Sequence, residues 1–298
     1  MNIVFAADHN YIRHLSVAIL SLLTNNKNSY FNIYIINIDI TLEEWGLLVG
    51  LDELKRHYFF DVKINAGELD ELVTNFHFSK ANYYRLFIPE TVPYDKALYI
   101  DADVVIKGDI NELWDIVIDD VFLAAVEDVG FDRHNDLEMN PNSKYFNSGV
   151  MLLNLKKWRE VSVKSKVIEF VKRKPDAIHF VDQCGLNAVI DGHWKPAHPK
   201  FNMQSIFLEI SGYGASEINM KNIEIAIKSP VIIHYTGSSK PWHFLNTHPY
   251  KNEYWRYRKL TPYKRSISEE LTALNISKWL LPKSLKGLLK FIFIRFCK

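Results

Sequence analysis

Short apolar runs that end on polar clusters alternate along this chain with stretches whose apolar residues recur every three or four positions. Asn2 to Ala7, Phe31 to Asn37, Asp61 to Ile64, Lys96 to Ile106, Phe122 to Asp128, Val150 to Leu155 and Pro230 to His234 read as strands. Between them, Leu15, Ala18, Ile19, Leu22 and Leu23 fall at helical spacing. Leu42 to Arg56 reads as an amphipathic helix, and Phe78 to Ile88 as one that Pro89 ends. Asp109 to Leu113 turns into a short helix, Lys156 opens a basic one, and the polar run Asp132 to Lys144 reads as an exposed loop. Repeated units of strand, polar tip and helix predict an α/β fold with a largely parallel sheet.

The polar tips carry the candidate chemistry, because open α/β sheets bind ligands at the carboxyl ends of their strands. The run Lys96 to Ile106 is interrupted by Asp101-Ala102-Asp103. In a strand, residues i and i+2 point the same way, which would bring the two carboxylates together. They repel unless something positive lies between them, and a divalent cation that also holds phosphates fits. A turn with two solvated aspartates is the plainer alternative. Asp8 and Asn10 follow the first strand as a ligand-contacting loop, or Asp8 simply caps the next helix. Arg85 could reach an anionic or polyhydroxyl ligand, or pair with a surface acid. Asp182 and Gln183 open a helix that Asp182 could cap. His234 ends a strand, and Gly237 and Lys240 follow within six residues in a pattern suited to phosphate. If His234 shares a cation with Asp101 and Asp103, imidazole favours a manganese-like ion over magnesium.

Taken in order, Phe5-Ala6-Ala7-Asp8, Leu98 to Val105, Tyr145 to Leu155 and His234 to Trp242 resemble the motifs of the retaining glycosyltransferases of family eight, above all the bacterial lipo-oligosaccharide α-galactosyltransferases. The resemblance runs from Ile3 to about Trp242 and implies a GT-A fold, an open twisted sheet with helices on both faces. It implies Mn²⁺ (with Mg²⁺ possible) on Asp101, Asp103 and His234, and a UDP-hexose donor, galactose before glucose. Asp8 and Asn10 match the uracil and ribose contacts, and Gly237 and Lys240 the diphosphate contacts. Arg85, Asp128, Asn147, Asp182 and Gln183 match the donor-sugar contacts, with Gln183, Asp182 and Asp128 nearest the chemistry. Ala7, Ser79, Ala102 and Ser148 join the same donor site. The implied acceptor is an oligosaccharide, glycolipid or glycoprotein. One departure stands out: where several relatives carry a carboxylate after the Asp-Gln pair, this chain has Cys184.

Composition narrows the remaining choices. The 298 residues hold 48% apolar and 24% charged side chains with a formal charge of +1, which argues against nucleic acid as a partner. Two cysteines without metal-ligand spacing predict a reducing compartment, and neither a signal peptide nor a spanning run is evident, so a cytoplasmic location is expected. We expect a catalytic domain over 1–250 and a helical tail over 251–298. No acid follows Glu270, whereas Lys278, Lys283, Lys286, Lys290, Arg295 and Lys298 do. Leu285, Leu288, Leu289, Ile292, Phe293 and Phe296 share one helical face, so the tail reads as a basic amphipathic helix lying on an anionic membrane. Two rival readings remain: a haloacid-dehalogenase-type phosphatase built on the D-x-D strand, and an inactive sugar-binding relative.

Overall fold

The computed structural model describes residues 1–74, 79–209, 217–265 and 267–280. The first half runs β1 (Asn2–Ala6), α1 (Ile12–Asn25), β2 (Asn32–Asn37), α2 (Leu42–Val49), β3 (Tyr58–Lys63), α3 (Ile88–Thr91), β4 (Lys96–Ile100), β5 (Val104–Ile106), α4 (Asn111–Trp114) and β6 (Leu123–Glu127). Then follow β7 (Phe146–Asn154), α5 (Leu155–Glu160), α6 (Val163–Arg173), α7 (Val181–Ile190), β8 (Lys195–Pro196), β9 (Met203–Gln204), α8 (Glu217–Lys228), β10 (Ile232–His234), α9 (Lys251–Arg258) and α10 (Ala273–Leu280).

Seven strands form one twisted sheet in the order β3-β2-β1-β4-β7-β6-β8. It is mostly parallel: β7 alone runs against its neighbours β4 and β6. The central strands are apolar on both faces because both faces are covered. Ile3, Phe5, Leu98, Ile100, Val150 and Leu152 point into the core under α1, while Val4, Ala97, Tyr99, Met151 and Leu153 point into the core under α6 and α7. This alternation is the period-two geometry of a strand. At the edge, β3 keeps Tyr58 and Phe60 exposed. A small sheet, β5-β10-β9, stands beside the carboxyl end of β4.

Several boundaries differ from the sequence reading. The helix expected to reach Arg56 stops at Val49, and Gly50 and a turn closed by Asp52 redirect the chain into β3. Pro89 opens α3 instead of ending a helix: it stands in the first turn, where its missing N–H costs nothing. The preceding Lys80–Phe87 is a 3₁₀ helix. The Asp132 to Lys144 loop is not wholly exposed, since Leu137 and Met139 are buried. α9, at the start of the expected tail, packs its Tyr254 and Tyr257 into the core against α1 and bonds His14 and Asn25. The basic amphipathic stretch from Lys283 to Lys298 lies outside the described residues.

Candidate active site

The strand β4 ends at Ile100, and Asp101-Ala102-Asp103 forms a bend that carries the chain from the large sheet to the small one. The two aspartates therefore do not converge as strand neighbours. They are brought together by anchoring on different partners: Asp101 N–H donates to Gly149 O in β7 at 2.8 Å, and Asp103 O accepts from Tyr235 N–H beside β10 at 3.1 Å. Pairing of β5 with β10 sets His234 opposite Val104, next to Asp103.

One oxygen or nitrogen of each of Asp101, Asp103 and His234 falls within 4.8 Å of the others. His234 Nε2 lies 3.3 Å from Asp103 Oδ1 and 3.7 Å from Asp101 Oδ2. The remaining atom of each group is engaged elsewhere. Asp101 Oδ1 accepts from the Tyr99 hydroxyl at 2.5 Å and pairs with Arg85 Nη2 at 2.9 Å. Asp103 Oδ2 holds Lys240 Nζ at 2.5 Å, and His234 Nδ1 meets Asn202 Oδ1 at 2.9 Å. Two carboxylates and one imidazole, each with its free atom turned to a common point, could hold a divalent metal ion. Gly149 makes the approach possible: a Cβ there would lie 2.2 Å from His234 Cε1 and 2.7 Å from Asp101 Oδ2.

This cluster forms the floor of a cavity of about 410 Å³. Every candidate named above lines it: Ala7, Asp8, Asn10, Ser79, Arg85, Asp101, Ala102, Asp103, Asp128, Asn147, Ser148, Asp182, Gln183, His234, Gly237 and Lys240. Asp8 both lines the cavity and caps the turn before α1, accepting from Tyr11 N–H at 3.2 Å. Asp182 is not a cap. It sits inside the first turn of α7, accepts from Ser148 Oγ at 3.0 Å and pairs with Arg85 Nε at 3.2 Å. Val181 before it has φ of 34°, a strained value for a β-branched residue, maintained by burial.

Arg85 differs from its sequence reading. It is 3% exposed, its guanidinium is committed to Asp101, Asp182, Asn82 O and Ser148, and it lies 4.5 Å over the Tyr99 ring. It braces the carboxylates before it reaches any ligand. Gln183 is held from both ends: Oε1 accepts from Ser148 N–H at 3.0 Å and Asn147 Nδ2 at 3.1 Å, and Nε2 donates to Asp128 Oδ2 at 2.8 Å. The cavity thus carries Asp8, Asp101, Asp103, Asp128 and Asp182 against Arg85 and Lys240, an excess of negative charge that favours a cation. Burial raises Asp182 to about 6, helped by Asp101 and opposed by Arg85. Burial also raises Asp128. Asp101 is raised by burial and by Asp103, whereas Lys240 and His234 pull Asp103 down against its burial.

Cys184, the departure noted in the sequence, points away from the cavity. It is 1% exposed, accepts from the Tyr145 hydroxyl at 3.4 Å and from Phe180 N–H at 3.3 Å, and its thiol is pushed up by burial. A side chain at 184 faces the core. Sequence reasoning missed Tyr11, Asn82, Phe180 and Thr236 in the lining and the buried Asn202 behind it. Asn202 lies in an irregular stretch with no periodicity to mark it.

The model of glycosyl transferase family 8 matches residues 2–246. The chain belongs to this glycosyltransferase family. General stress protein A of Bacillus subtilis is 34% identical over 88% of this chain and 94% of its own length. The lipopolysaccharide 1,2-glucosyltransferase of Escherichia coli K12 is 29% identical over 89% of the chain and 79% of its own. Glycosyltransferase GlyB of Streptococcus pneumoniae is 33% identical, but the chain spans only 62% of it. Among solved structures, the galactosyltransferase LgtC with donor and acceptor sugar analogues superposes with a TM-score of 0.79 at 26% identity, covering 91% of this chain and 98% of LgtC. Family 8 membership, with the GT-A sheet, sets the phosphatase reading aside.

Proposed function

We propose that this family 8 glycosyltransferase moves a hexose from UDP-hexose, with retention, to a glycan or lipid-linked oligosaccharide, using Mn²⁺, or less effectively Mg²⁺, on Asp101, Asp103 and His234. One observation carries the reading: the three cation-directed atoms meet Lys240 on one side and the Asp128, Asp182 and Gln183 cluster on the other, in one cavity. That arrangement suits a diphosphate above the floor with a sugar beside it.

When bound, the cation supplies Lewis-acid stabilisation of charge on the diphosphate. Lys240 adds a second positive charge, and Gly237, with φ of 83°, lets the loop backbone turn close to the phosphates. Asp8, Asn10, Ala7 and Ser79 serve the nucleoside end. Asp128, Asp182, Asn147, Ser148, Ala102 and Arg85 serve the sugar end. Gln183, with its carbonyl held by Ser148 N–H and Asn147 and its NH₂ held by Asp128, sits at the sugar end as a fixed amide and supplies no carboxylate nucleophile. The bond from C1 to the phosphate oxygen breaks with its electron pair going to phosphate. The acceptor oxygen bonds C1 on the same face, and its proton passes to that phosphate. Cys184 faces the core, so this same-face reading asks nothing of the side chain at that position.

Galactose and glucose are the two donors to test, since one similar structure is named a galactosyltransferase and similar proteins are named glucosyltransferases; the sequence resemblance puts galactose first. The relatives named lipopolysaccharide glucosyltransferases support a lipid-linked acceptor. Activity with UDP-galactose, UDP-glucose and a GDP-hexose, with EDTA and then added Mn²⁺, tests the reading. We expect EDTA to abolish turnover, Mn²⁺ to restore it best, and UDP to bind more tightly than GDP or CDP. Asp103→Asn should eliminate turnover of a folded protein, including hydrolysis of UDP-hexose without acceptor. Metal-independent turnover, or tighter binding of GDP, would refute it.

A further inference from the structure

The cation cluster and the sugar-end residues are joined by one buried chain of hydrogen bonds, and its middle link is Asn202. Asn202 is 0% exposed and does not line the cavity. Its Oδ1 lies 2.9 Å from His234 Nδ1, and its Nδ2 donates to Asn147 Oδ1 at 2.9 Å. Asn147 Nδ2 donates to Gln183 Oε1, and Gln183 Nε2 donates to Asp128 Oδ2.

The direction of this chain is fixed by groups that have no choice of role. Ser148 N–H donates to Gln183 Oε1, and Gly149 N–H donates to Asn147 Oδ1 at 3.0 Å. Backbone N–H groups only donate, so both of those amide atoms are oxygens. Asn202 must then turn its NH₂ to Asn147 and its oxygen to His234. Facing an oxygen, His234 Nδ1 carries the proton, and Nε2 keeps its lone pair for a cation. The opposite tautomer has its own attraction, because Asp103 and Asp101 lie 3.3 and 3.7 Å from Nε2 and would draw the proton there. That tautomer blocks ligation and would leave two acceptors facing each other 2.9 Å apart at Asn202.

We propose that Asn202 is a positioning residue that holds His234 in the cation-binding tautomer and ties the cation site to Asn147, Gln183 and Asp128. The proposal rests on the reading of Asp101, Asp103 and His234 as cation ligands. Groups that orient a ligating histidine through its other nitrogen typically change metal affinity about 10–100-fold when removed.

Two variants separate the functions of this side chain. Asn202→Leu removes both bonds, whereas Asn202→Asp keeps an oxygen for His234 Nδ1–H and loses the donor to Asn147. Mn²⁺ affinity is measured by calorimetry without donor, and the His234 tautomer by ¹⁵N NMR of the metal-free protein at alkaline pH. We expect wild type to show Nδ1–H. Asn202→Leu should shift to Nε2–H and bind Mn²⁺ roughly 10–100-fold more weakly. Asn202→Asp should keep the wild-type tautomer and affinity while kcat falls. Wild-type affinity and tautomer in a folded Asn202→Leu protein would overturn the proposal and leave the cation site standing. If that variant does not fold, Nε2–H in wild type, or an Asn202→Asp protein that loses Mn²⁺ affinity, overturns it equally. Absence of any Mn²⁺ binding by wild type would instead overturn the cation site itself.

Discussion

Lys240 Nζ lies 2.5 Å from Asp103 Oδ2, the oxygen of that carboxylate not directed to His234, and donates also to Tyr235 O at 2.7 Å. The ammonium neutralises half of a carboxylate whose other half faces the cation point. It is therefore suited to shift its attention to a phosphate while staying beside the ion. Lys240→Met should lower kcat/KM for UDP-hexose by roughly 100-fold, the scale of a lost transition-state donor. Calorimetry without donor should find Mn²⁺ binding no weaker, because the variant removes a nearby positive charge. Strongly weakened Mn²⁺ binding would show that Lys240 organises the ligands instead.

Gly149 offers a sharper steric test. An alanine Cβ would sit 2.2 Å from His234 Cε1, so either the ring or the β7 backbone must shift. Gly149→Ala should cost about 1–3 kcal/mol of stability, as overpacking of a tight core does. It should also remove detectable Mn²⁺ binding, since His234 can retreat only by leaving the ligand cluster. Retained Mn²⁺ affinity in the variant would mean that His234 is not a ligand in this geometry.

How legible this site was in the sequence depended on how each residue is presented. Asp101 and His234 directly follow apolar runs, Asp103 and Asp128 stand within two residues of one, and polar groups at a strand tip are visible to anyone reading periodicity. The two aspartates meet, but not as strand neighbours, because Val104–Ile106 leaves the large sheet to pair with β10, a long-range choice with no local signal. The sequence leaves Arg85 open between a ligand contact and an ion pair; it lines the cavity and is also braced by Asp101, Ser148 and Asp182, three partners far along the chain that no local pattern announces. Asn202 sits among prolines and short strands where periodicity says nothing. The ends of α2 and the 3₁₀ helix differ for a milder reason: Gly50 follows the last turn of α2 and Pro89 stands in the first turn of α3, local roles that a periodicity count does not resolve.

Asp182 gives a pH signature. Its carboxyl is raised from 3.8 to about 6 by burial and by Asp101, more than Arg85 offsets. Between those values the folded protein binds a proton that the unfolded chain has lost, so stability declines as pH rises. The two pH units correspond to about 3 kcal/mol in the metal-free protein. Urea titrations at pH 4.5 and 7 should show about 2 kcal/mol of that loss in wild type, since pH 4.5 already lies inside the window, and a shallower one in Asp182→Asn. An equal slope in the variant would assign the effect to another buried acid, with Asp128 the next to test.

The last prediction concerns the chain's end. α10 carries Leu274, Ile276, Trp279 and Leu280 at exposures of 40–67%, and the strongly basic amphipathic stretch follows directly. Apolar groups left on a surface helix beside an acid-free cationic segment fit an interfacial bed, where Trp is favoured at the headgroup level. No helix of the described residues is long and apolar enough to cross a membrane. Each basic residue near anionic lipid adds about 1 kcal/mol, screened by salt. Lys283, Lys286, Lys290, Arg295 and Lys298 all lie beyond Leu280, so a chain ending there loses this attraction and keeps α10. The full chain should float with phosphatidylglycerol vesicles at low salt, release at high salt, and ignore phosphatidylcholine. The shortened chain should bind far less while turning over a soluble acceptor as well as wild type. Equal flotation of both chains, or binding indifferent to salt and lipid charge, would remove the tail as the anchor.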